Sequence, residues 1–351
     1  MIQSLQSLRF VFIMLVVMSH IIGKSFDFGG ECGVSFFFML SGFILSYAYG
    51  QKIETGNFRQ KGFLLKQLSK FYPLHLLTFI VMIALDARLG RFFSWDKLVA
   101  NALLLQSWVP DDNFYFVGNG LSWFLSDLLF FYVMFPLLYR LLTKCKLSWL
   151  LVDGVFLMSL YVLLAISIPE NLINPLLYAS PLTRLLDFII GILVYRFWTS
   201  ETGQQQRQRI EALSPSAVTW LEFAMVAAVV VSFYVYEVSS LRFRCAALFW
   251  LVLPVVLLVF VMTDRQSGLV TRLLHQPWML WLGGISLEIY LVHWVTMRVL
   301  YSVLTPFGLD EERRLWLPVV LLTLAVIFVM SFLTKRFFVT PVYNRLVKQI
   351  K

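Results

Sequence analysis

Long apolar stretches alternate with short polar ones from one end of the chain to the other. Ten stretches approach the ~20 residues that a helix needs to cross a hydrocarbon core. They lie at 5–23, 32–50, 66–86, 121–143, 148–167, 181–199, 217–236, 245–263, 281–303 and 315–338. The runs are continuously apolar and do not alternate with a period of two, so they predict helices and not the strands of a barrel. The expected fold is an all-α integral membrane protein of about ten transmembrane helices, in one membrane domain over residues 1–351.

Composition agrees. Hydrophobic residues make up 59% and charged residues 14% of the 351, and the mean hydropathy is +0.77. A soluble domain cannot hide that much apolar surface. With both ends placed in the cytoplasm, eighteen Lys and Arg fall in inward loops. Eight, namely Lys24, Arg88, Arg91, Lys97, Arg242, Arg244, Arg313 and Arg314, fall in outward loops. That imbalance predicts cytoplasmic termini. The net charge of +9 is then a topology signal. Scattered over separate loops, with no basic patch or aromatic platform, it does not predict nucleic-acid binding. The first apolar run has no small-residue cleavage site after it and reads as a retained helix. The three cysteines share no paired spacing, so neither a disulfide framework nor a metal site is expected.

Two polar stretches stand out. Residues 87–120 contain an apolar segment too short to span, which predicts an interfacial or re-entrant helix, with a pocket lid as the functional alternative. Residues 201–215 read as a polar cytoplasmic tether. No internal repeat is apparent, which argues against a transporter built from inverted halves.

Charged and titratable residues inside the apolar runs need a reason to be there. Arg9 and His20 share the first run. At ~100° per residue, eleven steps return to within roughly 20° of the starting face, about 16 Å along the axis. A cation near one end and an imidazole near the other imply a polar cavity, and imidazole titrates near neutral pH, as a general base must. An interfacial or hydrogen-bonded histidine is the plainer alternative. Arg184 and Asp187, three apart, predict a local ion pair. Glu288 is placed for only a loose association with His293. His75 reads as interfacial, and His275 as an uninformative loop residue.

The segment Gly33-Val34-Ser35-Phe36-Phe37-Phe38-Met39-Leu40-Ser41-Gly42-Phe43, together with Arg9-x10-His20, resembles the acyltransferase-3 family of membrane acyltransferases. Ser122-Trp123-Phe124-Leu125-Ser126 followed by Phe131-Tyr132 and Phe135-Pro136 is similar to a later family segment. So are Arg184-Leu185-Leu186-Asp187-Phe188 and, further on, Gly283-Gly284-Ile285-Ser286 followed by Tyr290-Leu291-Val292-His293-Trp294. The matches run in family order from residue 9 to 294.

The resemblance implies ten membrane helices and transfer of an acyl group, often acetyl, from acyl-CoA to a hydroxyl of a cell-surface or exported glycan. It implies no bound cofactor, a multi-pass protein of the cell membrane, His20 as catalytic base and Arg9 as its catalytic partner. The family carries Arg-x-x-Arg before its third helix. Here the matching residues are Gln67 and Lys70, with Lys66 adjacent, so Lys66 and Lys70 are the donor-binding candidates, although plain positive-inside anchoring is the alternative. Many relatives carry Glu at the position of Leu128. The acid here is Asp127, rotated by ~100°, and no catalytic role is assigned to it. Ser41, Trp123, Ser126, Tyr290 and His293 are the substrate-pocket candidates, with Ser41 and Gly42 also suited to close helix packing beside His20. A transporter or flippase of a lipid-linked glycan is the competing function, and an inactive membrane sensor or scaffold a third.

Overall fold

A computed structural model describes residues 2–23, 29–240, 245–266 and 268–350. Among these residues the structure is helical, with no strand. The helices are α1 (Gln3–Ile22), α2 (Gly30–Glu54), α3 (Gln60–Arg88), α4 (Trp95–Ala102), α5 (Asp112–Tyr115), α6 (Trp123–Lys144), α7 (Leu147–Ser167) and α8 (Pro181–Thr199). They continue as α9 (Glu201–Glu211), α10 (Pro215–Val238), α11 (Ala247–Met262), α12 (Leu269–Leu274), α13 (Pro277–Gly284), α14 (Ser286–Leu304), α15 (Leu317–Thr334) and α16 (Thr340–Ile350).

Among the described residues, eight helices are long and apolar enough to cross a membrane. The predicted stretch at 181–199 becomes a bent element, in which Glu170–Tyr178 meets α8 at 43°. The stretch at 245–263 becomes the shorter apolar helix α11. The stretch at 281–303 is divided, because Gly284 ends α13 and Ser286 opens α14. The protein is a multi-pass membrane protein. On α7 and α10, Val155, Phe156, Leu163, Val230 and Tyr234 are exposed, as lipid-facing positions of spanning helices must be. Of the eight basic residues read as outward, Lys24, Arg242 and Arg244 lie outside the described residues.

The chain divides into two compact units. One comprises Met1–Phe12, Glu31–Phe58 and Phe130–Gly284. Within it α2 and α8 approach at paired small residues: a Cβ on Gly42 would collide with the Phe188 carbonyl, and one on Gly191 with the Met39 carbonyl. Small residues let helix backbones touch in this way where lipid supplies no hydrophobic drive between helices. The predicted packing role of Gly42 is thus exercised against α8. Residues 201–215, read as a tether, instead begin with helix α9, whose N-terminus is capped by the Ser200 hydroxyl accepting from Gly203 N at 3.1 Å. Ser214 does the same for α10, accepting from Ala217 N at 3.3 Å, with Pro215 at the first helical position.

The other unit comprises Ile13–Gly30, Arg59–Leu129 and Ile285–Lys351. Its distinctive part is the long connection after α3, a strap that folds back along that helix. Tyr72 Oη donates to Ala102 O at 3.0 Å and His75 Nε2 to Asn101 O at 3.0 Å, both near the middle of α3. His75, read as interfacial, is buried and satisfies a loop carbonyl. Buried amides and hydroxyls complete the strap. Asn101 Nδ2 donates to Lys97 O and Phe114 O, Gln106 Nε2 to Ser122 Oγ at 3.2 Å, and Ser107 Oγ to Trp123 O at 3.0 Å.

Candidate active site

His20 sits in the last turn of α1 and His293 in the middle of α14, both in the second unit. His293 Nε2 lies 3.2 Å from His20 Nδ1. The other nitrogen of His293, Nδ1, lies 2.9 Å from the carbonyl of Ile289, one turn back along its own helix. The Trp294 ring meets His20 edge-on at 5.4 Å between centroids. His293 is fully buried.

This segment of α14 is held by the strap that follows α3. Tyr290 Oη donates to Leu121 O at 2.9 Å, and Asn119 Nδ2 donates both to Leu291 O at 3.0 Å and to Thr78 Oγ1 at 3.1 Å. Of the pocket candidates, Trp123, Ser126, Tyr290 and His293 are all buried in this unit. Their partners differ: the Trp123 carbonyl accepts from Ser107, Tyr290 spends its hydroxyl on the strap, and His293 faces His20. Glu288, read as a loose associate of His293, pairs instead with Lys335 at 3.5 Å, since a five-residue step carries it off the face of His293.

The first unit holds the other buried polar group. Arg184, wholly buried, is 2.7 Å from Glu31 Oε1 and 3.4 Å from Asp187 Oδ2. The Asp187 pair is the one expected from spacing, yet the shorter contact is to Glu31 on α2, 153 residues away. Asp187 also accepts from Trp250 Nε1 at 2.6 Å, and the Arg184 guanidinium lies 5.5 Å from the centre of the Phe38 ring. Arg9 belongs to this unit, where it is close enough to the Tyr132 hydroxyl for direct electrostatic interaction. Ser41, also here, turns its hydroxyl back to the Phe37 carbonyl at 2.8 Å, so its proton is committed within α2.

The donor-binding candidates lie early on α3. Lys66 and Lys70 are exposed, and Lys70 Nζ donates to Gln67 Oε1 at 2.7 Å. The amide at the position where the family has Arg thus lies beside the lysine. His275, which carried no expectation, bonds through Nε2 to Asp264 Oδ1 at 3.1 Å and to Ser4 Oγ at 3.2 Å. Asp264 in turn caps the start of α1 by accepting from Ser4 N at 2.7 Å. The approach of His293 to His20 and of Glu31 to Arg184 had no local signal. Each joins residues more than 150 positions apart.

The family model for acyltransferase-3, described as an acyltransferase domain, matches residues 2–335. The chain is 30% identical over 290 residues to the acyltransferase MdmB of Streptomyces mycarofaciens, a match covering 77% of this chain and 68% of that protein. It is 20% identical over 361 residues to SACOL0978 of Staphylococcus aureus (strain COL), which carries an O-acetyltransferase name; that match covers 97% of this chain and 57% of the relative. A 51-residue stretch, 14% of this chain and 27% of the relative, is 41% identical to protein 2 in the picA locus of Rhizobium radiobacter. The chain spans about two thirds of the Streptomyces protein and a little over half of the staphylococcal one. No solved structure matches the chain.

Proposed function

The chain belongs to the acyltransferase-3 family of membrane acyltransferases, and from that premise we propose that it moves an acyl group, acetyl by default, from acyl-CoA to a hydroxyl of a cell-surface or exported glycan, with His20 as general base. The observation that carries the base assignment is the pairing of His20 with the buried imidazole of His293, near the end of an apolar helix where a lone titratable ring would be costly.

The chemistry balances simply. His20 takes the proton of the acceptor hydroxyl as its oxygen attacks the thioester carbonyl. A C–O bond forms, the C–S bond breaks, and the proton is returned to the departing CoA thiolate. At the other end of α1, Arg9 holds phosphate or carbonyl oxygens of the donor. Lys66 and Lys70 meet CoA phosphates as point charges, without the bidentate fork that Arg would offer. Of the pocket candidates, Ser126 keeps a buried hydroxyl with no hydrogen-bond partner among the described residues, and we assign to it the bond to an acceptor oxygen. A cytosolic thioester and a surface acceptor place the reaction at the cell membrane.

The test is a mass profile of surface glycans and glycolipids from a deletion strain complemented with wild type or with His20→Gln. An acetyl-sized adduct restored by the wild type alone supports the proposal. Full restoration by His20→Gln overturns the base assignment, and loss of the whole glycan on deletion favours export instead.

A further inference from the structure

Four hydrogen-bonding positions on two rings determine where the protons lie. A carbonyl oxygen only accepts, so the 2.9 Å contact with Ile289 O places a proton on His293 Nδ1. His293 is fully buried, and among the described residues no carboxylate bonds to it. Burying an uncompensated imidazolium costs far more than burying the neutral ring, so the ring carries that one proton. Its Nε2 therefore presents a lone pair to His20. The 3.2 Å contact then requires the proton of His20 to be on Nδ1. His20 Nε2 is left as the unprotonated nitrogen.

From this geometry we infer that His293 is a positioning residue that holds His20 in its Nδ1–H tautomer, so that Nε2 is the atom that takes the proton of the acceptor hydroxyl. The inference rests on the reading of His20 as the base and deepens it. A ring free to exchange tautomers would present an N–H to the acceptor part of the time and could then only donate. His293 does what an orienting carboxylate does elsewhere, with no net charge brought into the membrane. The parts that hold it are visible: Tyr290 and Asn119 tie the preceding turn of α14 to the strap, and Trp294 bounds the His20 ring. His293 is reassigned from contacting substrate to acting through His20.

The test uses full-length protein labelled with 15N-histidine and reconstituted in phospholipid vesicles. Nitrogen chemical shifts distinguish the two tautomers, and His20→Gln identifies the His20 signals among the four histidines. The wild type is expected to show His20 protonated at Nδ1 and bare at Nε2. His293→Leu should convert that signal to a tautomer mixture, and His293→Gln, whose amide oxygen can accept, should restore it. In membranes supplied with acetyl-CoA, His293→Leu should lower kcat roughly 10- to 100-fold, within the ~10²–10⁴ range of acid–base catalysis, with KM for acetyl-CoA unchanged. His293→Gln should recover most of the loss.

A wild-type His20 protonated at Nε2, or a tautomer indifferent to His293→Leu, overturns the inference while leaving the base assignment standing. An Nδ1–H tautomer together with a fully active His20→Gln overturns the base assignment instead. Should His293→Leu fail to fold, the wild-type tautomer and the His293→Gln kinetics decide.

Discussion

The Arg184 cluster of the first unit keeps its charges by pairing them, whereas the His20–His293 pair of the second joins two rings with no carboxylate among their described partners. Arg184, Asp187, Glu31 and His293 are buried and His20 is half-buried, in apolar helices where an isolated charge is expensive. In the first, an arginine and two acids occupy one another, and Trp250 adds a further bond to Asp187. Such a cluster ties α2, α8 and α11 together and leaves its carboxylates poorly placed to move protons. In the second, each ring bonds through a nitrogen to a neighbour, and one nitrogen stays open. Charge pairing spends capacity for proton transfer, and pairing of neutral rings preserves it.

Breaking the charged cluster should have the largest effect. Arg184→Leu leaves Glu31 and Asp187 buried without their guanidinium, at a cost of about 3–5 kcal/mol. The expected outcome is loss of folded protein from membranes, read by detergent-extracted yield and thermal melting. Combining it with Glu31→Gln and Asp187→Asn should recover much of that loss, and a single variant as stable as wild type would refute the structural role. His20→Gln should do the reverse. Melting should be within a few degrees of wild type, while acetyl transfer falls about 10²- to 10⁴-fold.

A smaller effect is expected where the strap meets α14. Asn119→Ala removes donors to Leu291 O and Thr78 Oγ1 and should cost about 1–3 kcal/mol. Faster proteolysis within residues 90–122 would report it, together with a fall in kcat as the support for His293 loosens. Smallest of all is Lys70→Ala, at an exposed position where a charge contact is worth about 0–1 kcal/mol. It should raise KM for acetyl-CoA a few-fold at low salt and leave kcat alone, and the difference should shrink as ionic strength rises.

These contrasts show which features were legible without coordinates. The spans were, because hydrocarbon forces every apolar run of that length into a helix, and the period of the pattern is local. The bend before α8 and the break between α13 and α14 were not, because each is a few residues inside an otherwise apolar stretch. A Gly283 side chain would strike the Gln6 carbonyl, a long-range constraint that one-dimensional patterning does not contain. The connection after α3 was half legible. Its apolar segment was visibly too short to span, but its return along α3 follows from His75 and Tyr72 meeting loop carbonyls.

The candidate site divides the same way. The placement of His20 and Arg9 on one helical face follows from helix geometry, since eleven residues nearly close three turns. The Arg184–Asp187 pair follows from a three-residue step, and both relations are local enough for sequence to determine. So are the helical class and the presence of ionisable groups within the apolar segments. Tertiary structure alone decided that Glu31 is the nearer partner of Arg184, that Glu288 serves Lys335, and that the partner of His20 is another histidine 273 residues away. Hydrophobic periodicity says which residues leave water. Which buried groups then meet depends on helix packing, and the penalty for leaving a polar group unsatisfied in hydrocarbon selects among the packings.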